Sequence, residues 1–219
     1  MSWLANNWGL VLALTVDHIR LSAIPILVGF VLAIPIGWCA YRFQAIRGFV
    51  LSGVGVLYTI PSLALFMIVP PFLGISVLSE LNVMIALSVY ALAILVRTVA
   101  DAFASIEPSV LRSATAMGYA EWGRFFTVEL PLAGPVLLAG LRVVAVSTVS
   151  LVTVGVLVGV HSLGYLFTDG FQRRIIPEVL VGIVMTVVVA LILDGLLLLV
   201  GRVLMPWSAV LSRTHKGIA

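Results

Sequence analysis

Cysteine, histidine and charge are all scarce in this sequence, and each shortage removes a class of function. The one cysteine, Cys39, can form neither an intramolecular disulfide nor a cysteine-based metal site, and its apolar neighbours suit a small buried hydrophobe. The three histidines, His18, His161 and His215, lie far apart, and no H-E-x-x-H or G-x-S-x-G occurs, so an intramembrane protease or hydrolase has no support. There is also no G-x-x-x-x-G-K-[ST] run to cradle phosphates, so no ATP chemistry and no cofactor are expected in this chain. Its basic residues stand singly rather than in patches, which speaks against nucleic acid as a partner. No Lys or Arg precedes Arg20, so the basic start of a cleavable signal peptide is missing; the N-terminus is expected to be retained, with Trp3 and Trp8 at the membrane interface.

Apolar residues fill the space that charge leaves. Of 219 residues, 62% are hydrophobic and 10% charged, and the mean hydropathy of +1.24 is more than a soluble core of this size can hide. A crossing helix needs about 20 mainly apolar residues. Five segments qualify: 21–41, 49–69, 82–100, 132–158 and 179–204. The expected fold is therefore all-α, a single polytopic membrane domain of five transmembrane helices. The apolar piece from Trp8 to Val16 is too brief to cross and is expected as an interfacial helix leading into the first span.

Positive charge in the short loops sets the expected orientation. Arg42, Arg47, Arg97, Arg112, Arg124, Arg202, Arg213 and Lys216 fall on one side, against Arg20, Arg173 and Arg174 on the other. The N-terminus is thus expected outside and the C-terminus in the cytosol. Arg97 and Asp194 are expected near the cytosolic end of their spans, where snorkelling suffices. Arg142 lies deeper, about 16 Å beyond Pro131 along a continuous helix, and is expected to pair across helices. Gly155 and Gly159 form a G-x-x-x-G that suits close helix approach, either within the subunit or at a dimer contact.

Two stretches stand out from the apolar background. Span two contains "YTIPSLALF", in which Thr59, Pro61 and Ser62 interrupt a lipid-length helix; proline leaves a carbonyl unpaired, and a hydroxyl can satisfy it where the segment faces protein or water. A bend on the inner face is expected there. Tyr58 and Tyr90, aromatic and within spans, suit either core packing or a path that attracts cations through their ring faces. The other stretch is the polar loop 101–130. It reads as a short helix starting after Pro108, with Ser109 able to cap it, a break at Gly118, and a second helix from Ala120, together a hairpin on the cytosolic face.

The run "SATAMGYAEWGRFFTVELPLAGPVLLAGLR" resembles the EAA loop of ABC importer permeases. With Gly118 at the family's glycine, Arg112, Ser113 and Ala114 stand under Glu-Ala-Ala and Leu130 and Pro131 under the Leu-Pro; Arg112 replaces the usual Glu. "TIPSLAL", "VELPLAGPVLLAGLR" and the glycines Gly159, Gly164 and Gly170 resemble the permeases of osmoprotectant importers for glycine betaine, carnitine and choline. The resemblance implies the five-span core of a type I importer, like that of methionine permeases. It also implies a second permease subunit, identical or related, a cytosolic ATPase dimer and an extracytoplasmic substrate-binding protein. By the same resemblance Arg112, Ser113, Ala114, Met117, Gly118, Tyr119, Trp122, Leu130 and Pro131 couple to the ATPase, Trp122 having packing on neighbouring spans as its alternative. Tyr58, Thr59, Pro61, Ser62 and Tyr90 become candidates for the path or its gate. A methionine-type amino-acid permease is the alternative within the same mechanism. A channel or membrane signalling protein is the alternative outside it.

Overall fold

The computed structural model describes residues 2–207; Arg213 and Lys216 of the orientation argument, and His215, lie outside them. Nine α-helices follow one another among the described residues: α1 Ser2–Arg42, α2 Gln44–Thr59, α3 Ser62–Leu73, α4 Glu80–Ala104, α5 Pro108–Ala116, α6 Glu121–Arg124, α7 Leu130–Val154, α8 Gly164–Gln172 and α9 Ile176–Leu204. A π-helical turn, Phe125–Glu129, joins α6 to α7, and a 3-10 turn, Gly155–Val158, follows α7. Four helical runs are long and apolar enough to cross a membrane, and the pair α2 and α3 makes a fifth span if the bent pair is counted as one.

The leading apolar piece is not a separate interfacial element. It is the first half of α1, which runs 41 residues with a non-helical Asn7 near its start. Val11 and Leu14 from this half are buried in a cluster with Val149 of α7, Leu163 and Leu166 around α8, and Val189 of α9. Enough apolar side chains line one face for tertiary packing to hold the helix on through a stretch too short to cross by itself.

The second half of α1 lies on α4 in the most extensive helix contact among the described residues. A β-carbon at Gly29 would sit 2.6 Å from that of Ala91, and one at Gly37 would sit 2.5 Å from that of Val99. Only glycine permits such an approach, and in lipid it is this intimate packing that holds helices together. α4 is the central element, with Val83, Ala86, Leu87, Leu95, Val96, Val99 and Phe103 fully buried. α9, by contrast, buries only Glu178, Gly182, Val189 and Gly201 and forms an outer wall.

Salt bridges close the two ends of the bundle. At one end Arg20 of α1 meets Glu80 at the start of α4, at 2.5 Å. At the other, Arg42 meets Glu121 at 2.6 Å and Arg47 meets Asp101 at 3.5 Å. Arg20 thus lies at one end and Arg42 and Arg47 at the other, the separation that the charge argument expects of these three. The G-x-x-x-G expectation is corrected: Gly159 has φ +78 and ends the 3-10 turn, so the two glycines are not one helical face.

Candidate functional site: a broken span and a braced loop helix

Span two does not bend; it breaks. α2 and α3 meet at 108° across Ile60 and Pro61, a sharper change than the single kinked helix over 49–69 that the sequence suggests. Proline cannot donate to the carbonyl four residues back, so the polar groups around the break must be satisfied otherwise. Thr59 donates its hydroxyl to the Val56 carbonyl at 2.7 Å, and the Ile60 amide turns back to Leu57 at 3.3 Å. The Tyr90 hydroxyl donates to the Ile60 carbonyl. The Ser62 hydroxyl makes no hydrogen bond among the described residues, so Thr59 and not Ser62 supplies the local rescue.

A second repair lies eight residues away on the same face of α4. Pro70 inside α3 leaves the Phe66 carbonyl without its helical donor, and the Asn82 amide donates to it at 2.9 Å and to Val77 at 3.0 Å. Asn82, Ala86 and Tyr90 form an i, i+4, i+8 stripe, so one face of α4 carries both donors that the broken helix requires. Tyr90 is itself buried, whereas Tyr58 and Thr59 are exposed, and the two tyrosine rings meet edge to face at 6.2 Å between centroids. Pro61 is exposed and Ser62 half-buried. The break therefore presents an aromatic and polar surface, Tyr58, Thr59 and Pro61, on a buried support.

The loop helix α5 begins with Pro108 at its first turn, as expected, but Ser109 does not cap it; its hydroxyl donates to the Glu107 carboxylate at 2.5 Å. Gly118 adopts φ +86, where a side chain is strained, and turns the chain sharply out of α5. The expected second helix is only the four residues of α6, which run on through the π-helical turn into α7 as one apolar rod, Glu121–Val158. The loop is thus one short helix laid beside the base of a long one rather than a free hairpin.

Two contacts brace α5, and a buried carboxylate backs one of them. Ala114 is buried beneath the helix. Arg124 donates to the Thr115 hydroxyl at 2.9 Å and to the Glu129 carboxylate at 2.7 Å, tying α5 to the base of α7. Glu129 is 3% exposed, and Trp38 of α1 donates its indole N–H to the other carboxylate oxygen at 3.4 Å. Burial of this carboxylate is offset by two donors, one of them a full positive charge. Sequence reasoning missed the strut; the only hint was a lone Glu129 at the mouth of an apolar run.

The outer face of α5 and its turn is left bare. Arg112, Ser113, Met117, Gly118, Tyr119 and Trp122 are all exposed, Met117 at 71% and Trp122 at 66%. Arg112 has no ion-pair or hydrogen-bond partner among the described residues. Trp122 also stacks on Trp38 at 5.9 Å, so its ring leans on α1 while most of it stays open. Leu130 and Pro131 sit behind, lining an apolar cavity of about 370 Å3 between α1, α7 and α9. The site residues therefore divide into an open surface and an inward set of Ala114, Leu130 and Pro131.

Arg142 is the ionisable group the sequence left without a named partner. Its guanidinium makes a bidentate bridge to Asp194, with contacts of 2.6 and 2.8 Å. Asp194 is thus paired within the bundle rather than snorkelling alone, while Arg97 is exposed on α4.

Known proteins resemble this chain over nearly its whole length. Residues 25–205 match the family described as binding-protein-dependent transport system inner membrane component. The osmoprotectant import permease protein OsmW of Salmonella typhimurium is 29% identical over 200 residues, 89% of this chain and 92% of that protein. The glycine betaine/carnitine/choline transport system permease protein OpuCD of Bacillus subtilis is 30% identical over 206 residues, covering 94% and 89%. Among solved structures, an inward-facing form of the MetNI methionine ABC transporter superposes with a TM-score of 0.75 at 21% identity over 92% of this chain and 97% of the other, a likeness of fold. A helical bundle of membrane-spanning length, with a braced loop helix at one end and a match from residue 25 to residue 205, belongs to the family of binding-protein-dependent transport system inner membrane components, and this chain is a transport permease subunit.

Proposed function

We propose that this permease serves an ATP-driven importer of osmoprotectant quaternary amines such as glycine betaine, carnitine or choline. It works with a second permease subunit, a cytosolic ATPase dimer and an extracytoplasmic substrate-binding protein. The N-terminus lies outside and the C-terminus in the cytosol. The substrate class rests on the relatives whose names carry it.

The observation that carries the mechanism is the bracing of α5. A helix transmits a displacement only if it cannot rock on its support, and α5 is fixed by buried Ala114 and by the Arg124 strut to the base of a continuous 38-residue rod. Arg112, Ser113, Met117, Gly118, Tyr119 and Trp122 are the surface that meets the ATPase. When the ATPases close, movement of α5 is passed through Leu130 and Pro131 into α7. The break at Pro61 is where the path opens and shuts, because two helices meeting at a joint can swing with little loss of their own hydrogen bonds. Tyr58, backed by Tyr90, offers a ring face that attracts a quaternary ammonium without binding it tightly.

Arg112 reverses the charge usual at its place and favours an acidic or carbonyl partner on the ATPase. The decisive experiment reconstitutes the permease with its ATPase and binding protein in liposomes and follows ATP-dependent uptake of labelled glycine betaine, carnitine, choline and methionine. Uptake of the quaternary amines and not methionine is expected. Methionine uptake alone makes this an amino-acid importer, and uptake that needs no ATPase makes it a channel. Arg112→Glu is expected to weaken ATPase stimulation in the same preparation, and unchanged coupling would show that the charge plays no part.

A further inference from the structure

Arg142 and Asp194 belong neither to the α5 surface nor to the break in span two, yet they are the only oppositely charged pair within spans among the described residues that joins α7 to α9. The two helices run antiparallel: Gly134 lies against Met205, Leu138 against Gly201, and Arg142 on Asp194. Along α7 the residues Arg142, Val146 and Ser150 recur at every fourth position, and along α9 Thr186, Ala190 and Asp194 do the same, so the two stripes face each other in register for about 12 Å. Between them lies a groove of about 280 Å3 that runs past Ser150 and Thr186 and meets the Asp194 carboxylate.

The pair is not sealed by its own chain. The Arg142 and Asp194 side chains keep 36% and 22% exposure, and exposed Ser150 has no hydrogen bond from its hydroxyl among the described residues. Charges and free hydroxyls at mid-span depth do not face hydrocarbon; they face a water-filled path or another polar surface. The groove, otherwise walled by Val146, Val187, Ala190 and Leu191, carries the Asp194 carboxylate in its lining. Arg142 lies just beyond it, one turn from Val146 and held on that carboxylate, so both signs of charge stand at its end at membrane depth.

We infer that this groove is a membrane-embedded subsite for a small zwitterion, whose carboxylate takes the Arg142 guanidinium and whose quaternary ammonium lies against Asp194. The inference rests on the osmoprotectant reading and narrows it. A planar guanidinium fork suits a carboxylate, and Asp194 is released to face the cationic end. A zwitterion replaces both halves of the pair at once and leaves neither charge uncompensated. A simple cation satisfies Asp194 only and strands Arg142, which is costly away from water. The groove therefore discriminates a betaine or carnitine from choline, although all three carry the same ammonium group.

The test uses the assembled permease–ATPase complex in lipid nanodiscs without the binding protein, and measures retention of labelled glycine betaine and its competition by unlabelled carnitine and choline. Wild type is expected to retain the label, with choline competing about tenfold or more weakly than carnitine. The neutral pair Arg142→Gln with Asp194→Asn, and the exchange Arg142→Asp with Asp194→Arg, are expected to lose retention by about tenfold or more while ATPase stimulation by loaded binding protein persists. The exchange keeps the tie between α7 and α9 but reverses the polarity of the site. Retention by the exchanged protein equal to wild type would mean that the pair is a tie and nothing more. Equal competition by choline overturns the zwitterion class, and that arm needs no variant to fold. If wild type transports betaine but retains none, this inference alone falls; if it neither retains nor transports any of the three, the osmoprotectant reading falls with it.

Discussion

Tyr90 shows how one side chain can serve a helix it does not belong to. Its ring is buried in the core cluster that includes Leu65, Phe66, Leu87 and Val152, and its hydroxyl leaves that cluster to meet the Ile60 carbonyl at the end of α2. Tyr90→Phe keeps the ring and removes the donor. The expected cost is about 1 kcal/mol, because a half-buried carbonyl loses its partner while the packing stays, and hydrogen bonds within membrane proteins run at the modest end of their range. Thermal unfolding of the purified permease is the measurement. An unchanged melting temperature would mean that water satisfies Ile60 in its place. From the sequence Tyr90 was legible as an aromatic within a span, suited to core packing or to the path. Its direction was not legible, because nothing in the spacing of α4 announces a carbonyl thirty residues earlier in the chain.

At the scale of the element, the broken span and the first helix teach opposite lessons. Thr59, Pro61 and Ser62 signalled a disturbance in span two, and the disturbance is there. Its size was hidden, since a 108° break requires donors from elsewhere, and those are Asn82 and Tyr90 on one stripe of α4. Pro61→Ala supplies the helical amide four residues beyond Leu57, whose carbonyl the Ile60 amide otherwise reaches at 3.3 Å, and favours one straight helix, which would draw α3 away from both donors. Uptake is expected to fall while the permease still co-purifies with its ATPase; wild-type uptake in this variant would refute a gating role for the break. In α1 the sequence marked a boundary between an interfacial piece and a span, but none exists. The same helix continues because Val11 and Leu14 find apolar partners on α7, α8 and α9.

The contact between α1 and α4 gives a cleaner test of packing. Alanine at Gly37 would place its β-carbon within 2.6 Å of Val99 side-chain atoms and 2.8 Å of the Val96 carbonyl oxygen, so the helices must part. Gly37→Ala is expected to destabilise the bundle by about 1–3 kcal/mol, the usual range for overpacking. Gly9 lies in the same helix with open space around it, and Gly9→Ala should leave melting nearly unchanged. Equal effects at the two positions would mean that helix propensity, not the close approach, decides.

At the scale of the whole molecule, the ion pairs of α1, α4 and the base of α7, Arg142–Asp194 apart, are sorted to the two ends. Arg20 and Glu80 lie at one, and Arg42, Arg47, Asp101, Glu121 and Arg124 at the other. The proposed orientation is open to direct labelling in a Cys39→Ser background. A cysteine at Ser76, exposed in the α3–α4 turn, is expected to react with an impermeant thiol reagent on intact cells. One at Gln44, exposed at the start of α2, should react only after the membrane is opened. The reverse pattern would invert the orientation and remove α5 from the cytosol.

The sequence by itself determined how many apolar runs the chain has, that a short helix starts after Pro108 and breaks at Gly118, and to which family the spacing points. These properties are local, since run length, composition and residue spacing act over a few turns of chain. Only the tertiary structure decided that Arg142 pairs with Asp194, 52 residues away, that Arg124 and Glu129 brace α5, and that Asn82 and Tyr90 serve the broken span. The physical reason is the same in each case. Away from water a freed carbonyl or a lone charge must find a partner inside the protein, so the sequence announces the need, and the packing of distant helices chooses what meets it.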